Sequence, residues 1–238
     1  MKVDVLAIGA HPDDVELCCG GTVISLVREG KKVAAVDLTQ GEMGTRGTAE
    51  TRAAETIEST KILGVCAREN IEMPDGFFEI NHANLMKVIG IIRKYQPEIL
   101  LCSAPVERHP DHVRASKLIV EAAFLAGLRK VETQYAGELQ VAWRPKQIFH
   151  YIQDTYLKPD FITDISHTQD EKIKALLCYK TQFNATDDDE PKTYISTPEF
   201  LQSIIARALL FGKRIGVKYG EGFISEKAIG VKSLYDLM

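Results

Sequence analysis

Apolar runs alternate with helix-like stretches through the first half of the chain, and this alternation restricts the fold more than any other feature. Val3–Gly9, Lys32–Thr39 and Glu98–Ser103 read as buried strands, with a shorter one near Asn70. Helices are expected over Asp14–Glu29, ended by Gly30, and from the capping Thr48 to Leu63, with Gly64 behind it. Two more are expected over Ala83–Tyr95 and Pro110–Leu125, and Pro97 separates the former from the strand that follows. Strands alternating with helices predict an α/β, Rossmann-like, mostly parallel sheet with helices on both faces. The second half is less regular. Strands are expected at Gln147–Gln153 and Phe161–Ile165, helices at Asp170–Tyr179 and Pro198–Ile215, and a solvated loop over Thr186–Pro191. No repeat, low-complexity tract or linker interrupts the chain. One domain over residues 1–238 is expected, with a regular core (1–128) and a completing part (129–238).

Composition narrows the classes of function. A chain of 238 residues, 45% hydrophobic, suits one sizeable core. Its net charge of -4, with both signs interspersed, argues against a dedicated nucleic-acid or membrane surface. No apolar run reaches the roughly eighteen residues of a membrane span. The opening Met1–Ala10 carries Asp4 and enters a Pro-Asp-Asp turn, so it reads as a buried strand rather than a signal peptide. Five cysteines (18, 19, 66, 102 and 178), with no C-x-x-C pair, suit reduced thiols, and a cytoplasmic setting is expected. Cys18 and Cys19 would point about 100° apart on a helix, which disfavours them as a ligand pair. The sequon Asn184-Ala185-Thr186 is read as accidental.

Ligands of an open parallel sheet bind beyond the carboxyl ends of its strands. Three polar loops follow predicted strands and should open on that edge: Ala10–Glu16, Thr39–Gly47 and Ser103–His112. Two of them repeat one form, His11-Pro12-Asp13-Asp14 and His109-Pro110-Asp111-His112. A single His-Pro-Asp turn is good helix-start chemistry and needs no function. Two at the ends of different strands are harder to dismiss, because neutral imidazole and carboxylate are both good zinc ligands. His11 and Asp14 can turn toward one point at a helix start, and His112 can meet them from the third loop. Three protein ligands would leave a position open for water, as hydrolytic zinc requires. The same two-His, one-carboxylate set can hold ferrous iron for oxygen chemistry. Asp13 and His109 tilt the reading toward hydrolysis, since one can take a proton and the other can face an oxyanion. A nucleotide-binding oxidoreductase would suit the fold, but no G-x-G-x-x-G follows the first strand. A closed structural zinc site would need a fourth ligand, and none stands near the two motifs.

The two His-Pro-Asp motifs, with Thr39–Gly47 between them, resemble the signatures of the LmbE-like (PIG-L) family of metal-dependent N-acetylglucosamine deacetylases. The likeness runs over most of the chain. The tail Gly216-Val217-Lys218-Tyr219-Gly220-Glu221-Gly222-Phe223 is similar to the branch that deacetylates N-acetylglucosaminyl-L-malate in bacillithiol biosynthesis. The resemblance implies His11, Asp14 and His112 as metal ligands, with zinc as cofactor and ferrous iron as the alternative. It implies Asp13 as general base, His109 as the imidazolium facing the oxyanion, and Asp111 as its orienting partner. Arg52 stands where the family binds substrate hydroxyls, Glu42 and Arg46 would shape the pocket or brace its loop, and Tyr194 would be a mobile aromatic over the site. The implied partner is a small N-acetylglucosamine conjugate, either the malate conjugate or another such as the free sugar or a chitooligosaccharide. A homo-oligomer, trimer or hexamer, is also implied. Arg207 is kept from the family's arginine-rich helix, but Ala208 and Leu209 replace polar residues there. Leu209 and Leu210 are therefore expected in a core or a subunit interface.

Overall fold

A computed structural model describes residues 1–183 and 191–236. The expected loop Thr186–Pro191 lies outside them except for its last residue, and so does the sequon at 184–186. The chain runs β1 (Val5–Gly9), α1 (Asp14–Arg28), β2 (Val33–Thr39), α2 (Ala49–Leu63), β3 (Ala67–Met73), α3 (His82–Tyr95), β4 (Ile99–Cys102) and α4 (Pro110–Ala126). A two-stranded hairpin follows, β5 (Gln134–Tyr135) and β6 (Glu138–Leu139), then β7 (Gln147–Tyr151) and β8 (Phe161–Asp164). Helices α5 (Gln169–Leu176), α6 (Lys180–Phe183) and α7 (Pro198–Arg214), strand β9 (Gly220–Ser225) and a 3-10 turn at Leu234–Asp236 complete it.

Seven strands form one mixed sheet in the order β3-β2-β1-β4-β7-β9-β8. Strands β3, β2, β1, β4 and β7 pair in parallel, while β9 runs antiparallel to both β7 and β8. The mostly parallel α/β sheet expected from the sequence is present, with helices on both faces. Alternation along β1 explains the layers. Leu6 and Ile8 enter a core with α3 and α4, whereas Val5 and Ala7 enter a second core with α1, α5 and α7. Both faces of β1 are covered, so its run is apolar at every position.

The central position of β1 places the site. The chain builds outward from β1 through β2 to β3, then returns to pair β4 on the other side of β1. The loops after β1 and β4 diverge at that reversal and leave a crevice. Helix α1 is broken in its second turn, with Cys19 at φ -135. The break frees the Leu17 carbonyl, which accepts from Arg207 Nη2 at 3.4 Å, and the amides of Gly21 and Thr22. Those amides donate to the buried Glu221 carboxylate at 3.0 and 2.8 Å, and Glu221 is in turn paired with buried Lys172 at 2.6 Å. Leu209 and Leu210 of α7 are both partly exposed. No helix among the described residues is long and apolar enough to cross a membrane.

Candidate active site

The turn after β1 is forced to be tight. A Cβ on Gly9 would stand 2.9 Å from the His11 carbonyl, so glycine is required where the strand folds back over the start of α1. Asp13 then takes φ 117, a left-handed value that costs a non-glycine residue roughly 1–3 kcal/mol. The strain aims the Asp13 carboxylate into a cavity of about 390 Å³ at the carboxyl edge of the sheet. His11, Asp14, His109 and His112 line the same cavity, as do Arg52 and Tyr194. His109 caps α4 and His112 lies in its first turn, so one helix start presents both rings.

Three atoms converge at the floor. His11 Nδ1 lies 3.2 Å from His112 Nε2, His112 Nε2 lies 3.2 Å from Asp14 Oδ1, and His11 Nδ1 lies 3.7 Å from Asp14 Oδ2. Tetrahedral zinc with bonds of about 2.0–2.1 Å would separate its donors by about 3.3–3.4 Å. The three donors therefore fit a small divalent cation. His109 is close as well, with a ring nitrogen within 4.8 Å of the other two histidines. The far nitrogen of His11 is held by carboxylates, Asp75 at 3.0 Å and Asp111 at 3.4 Å. A carboxylate behind a ligating imidazole fixes its tautomer and raises its basicity.

Charge within the cluster follows from this packing. Burial works against charge on His11, but Asp111, Asp75 and Asp14 outweigh it and raise its pKa to about 10. Positive charge is thus favoured at this spot, which suits a cation. Burial raises Asp13 to about 8, with Arg52 opposing and the Asp14 charge adding. Burial also penalises the Asp14 carboxylate, yet His112 and His11 hold it well below the ordinary range. For His109, burial and the neighbouring His11 and His112 lower the pKa to about 4. Its Nδ1 accepts the Asp111 backbone N–H at 3.2 Å, so the neutral ring carries its hydrogen on Nε2.

The remaining expected residues take varied places. The Asp111 backbone orients His109, while its carboxylate accepts from Gly76 N–H at 2.8 Å, pairs with Arg114 and flanks His11. Arg52 is buried and donates to the Pro12 carbonyl at 2.9 Å and to Asp13 at 3.2 Å, which braces the Asp13 carboxylate. Glu42 and Arg46 stand behind the wall. The Glu42 carboxylate accepts the Asp75 N–H at 2.8 Å, and Arg46 binds the carbonyls of Thr181 and Pro191. Tyr194 is 57% exposed at the mouth, where its hydroxyl donates to Asp154 at 3.1 Å and its ring lies 4.5 Å from the Arg108 guanidinium.

Two site residues escaped the sequence reading. Asp75 sits in Pro74-Asp75-Gly76 directly after β3, a turn signal at the same sheet edge. Gln153 stands two residues beyond β7, at the end of the predicted strand, and touches Asp14. Its polarity at a buried strand end was the available signal.

Comparison with known proteins agrees with this geometry. Residues 6–123 match PIG-L, described as GlcNAc-PI de-N-acetylase. Diacetylchitobiose deacetylase of Thermococcus kodakarensis is 31% identical over 92% of this chain and 81% of its own. A probable N-acetyl-alpha-D-glucosaminyl L-malate deacetylase 2 of Bacillus cereus is 24% identical over 79% of this chain and 88% of its own. The conserved protein TT1542 of Thermus thermophilus superposes with a TM-score of 0.86 at 33% identity, covering 97% of this chain and 98% of that one. With the paired His-Pro-Asp turns meeting at one point and the likeness spanning both halves, the chain belongs to the PIG-L family of deacetylases.

Proposed function

We propose that the chain is a zinc-dependent hydrolase that removes the N-acetyl group from an N-acetylglucosamine unit of a small saccharide. The observation that carries this is the convergence of His11 Nδ1, His112 Nε2 and the Asp14 carboxylate within 3.7 Å, beside Asp13 and His109. Those three donors would hold a divalent cation, which when bound would supply Lewis acidity toward the acetyl carbonyl and acidify water in the pocket. Asp13, braced by Arg52, takes the proton of the attacking water as oxygen bonds to the carbonyl carbon. His109, at the rim of the same cluster, stabilises the charge that develops on the acyl oxygen. The C–N bond then breaks, Asp13 returns the proton to the sugar nitrogen, and acetate leaves.

An uncharged glycan is the better supported acyl carrier. At the mouth, Arg108 Nε pairs with Asp154 at 3.1 Å, and Glu107 accepts the Asp154 N–H at 2.8 Å. The guanidinium is thus already paired with a carboxylate, which weakens its attraction for an anionic group. The Thermococcus relative favours a chitobiose-like substrate, and the Bacillus relative supports the malate conjugate as a second reading. The test is acetate and amine release from N,N'-diacetylchitobiose, N-acetylglucosamine and N-acetylglucosaminyl-malate by the zinc-loaded protein. Faster turnover of diacetylchitobiose supports the glycan reading, and preference for the malate conjugate reverses it. Release from none of the three rejects the function.

A further inference from the structure

Gln153 belongs to neither His-Pro-Asp motif and lies beyond the segment matched to the family, yet it reaches the candidate metal centre. The antiparallel part of the sheet puts it there. Strand β7 is held by β9, and the Ile152 N–H donates to the Gly222 carbonyl at 3.1 Å, fixing the backbone just before it. The residue is 1% exposed. Its Nε2 lies 2.5 Å from Asp14 Oδ1 and 3.4 Å from His112 Nε2, while its Oε1 is buried without a hydrogen-bond partner among the described residues. The amide orientation follows from charge, because exchanging N and O would set a carbonyl oxygen against the Asp14 carboxylate.

Asp14 is consequently gripped at both oxygens. Oδ2 accepts the His11 backbone N–H at 2.9 Å, and Oδ1 accepts Gln153 Nε2. Each oxygen gives one lone pair to an N–H and retains the other. Rotation of the carboxylate about its Cβ–Cγ bond would break both hydrogen bonds. The donor beside Asp14 is also uncharged, so it orients the carboxylate without changing the charge of the ligand set. Outer partners of this kind typically tune metal affinity by 10–100-fold.

We propose that Gln153 is a positioning residue that locks Asp14 in its ligating orientation and sets the cation affinity of the site by being neutral. The proposal rests on the metal-centre reading given above. It predicts opposite effects from two substitutions of similar size. Gln153→Leu removes the donor and should weaken Zn²⁺ binding about 10–100-fold. Gln153→Glu adds a carboxylate beside Asp14 and should tighten binding at least several-fold, with a changed visible spectrum when Co²⁺ replaces Zn²⁺. The measurements are Zn²⁺ affinity by competition with a chromophoric chelator and the Co²⁺ absorption spectrum, both independent of turnover. Thermal unfolding of the metal-free proteins accompanies them, and Gln153→Met substitutes for Gln153→Leu should that variant not fold. Equal affinity and an unchanged Co²⁺ spectrum in both variants would overturn the proposal, as would equal weakening in both, which a purely structural residue would give. Wild-type protein that takes up neither ion would reject the metal centre itself, whereas wild-type binding with indifferent variants rejects only the role of Gln153.

Discussion

At the scale of single residues, the proposed reaction turns on one carboxylate held in an unfavourable backbone shape. Asp13 combines a φ of 117, burial and a guanidinium neighbour. Its carboxylate can move a proton without itself being among the converging donors. Replacing Asp13 with alanine should lower kcat by about 10²–10⁴-fold while leaving metal content unchanged. Turnover assays and metal analysis on the same preparation check this, and loss of the metal would place Asp13 among the ligands. That His11, Asp13, Asp14, His109 and His112 share one cavity was legible in the sequence, because each lies in a motif at a strand end. Asp75 and Gln153 were not, because a lone polar residue after a strand has no distinguishing spacing. Only the pairing of sheet neighbours shows that their loops open on the same cavity. The carboxylate of Asp111 illustrates the complementary difficulty. The resemblance assigned it to His109, but in the fold the residue's own backbone N–H takes that partner and the carboxylate turns to His11.

At the scale of elements, the break in α1 separates the turn that carries Asp14 from the remainder of the helix. Glu221 on β9 serves as an internal cap for the second segment, with its charge balanced by Lys172. Glu221→Ala would leave Lys172 buried and unpaired and the Gly21 and Thr22 amides unsatisfied, for a loss of about 3–5 kcal/mol. Combining it with Lys172→Met should recover much of that loss. Urea unfolding of the two variants measures both effects. The regular elements of the first half were readable because period and caps agree there: Thr48 caps α2 with its side chain, and Pro110 opens α4. Strand β9 escaped because Gly220-Glu221-Gly222 has weak strand propensity and is imposed by pairing with β7 and β8. The hairpin β5–β6 is only two residues per strand, too short to leave a period.

At the scale of the whole molecule, two bulk measurements follow. Anything that binds only the folded state stabilises it, so Zn²⁺ at about 100 times its dissociation constant should add about 2.7 kcal/mol. A chain of this size should then gain roughly 5–10 °C in Tm, reversed by a chelator. The second concerns pH. Burial lowers the His150 pKa, but contacts with Cys102, the Ser103 carbonyl and Glu226 outweigh it and raise it to about 10. A raised folded-state pKa gives stability that is full below about 6.5 and is lost as pH climbs toward 10. Tm should fall over that interval, and Glu226→Gln should flatten the fall. The order of strands has a kinetic consequence as well. His11 and His112 are 101 residues apart and meet only after β4 has docked against β1. Their encounter closes a long loop, and such closures come late and slowly. Competence to capture a cation is therefore a clock for the end of folding. In refolding with Co²⁺ present, visible absorbance should rise after far-UV helicity has recovered, and a circular permutant opened at the exposed turn between β5 and β6 should retain that lag, because the segment from His11 to His112 stays continuous.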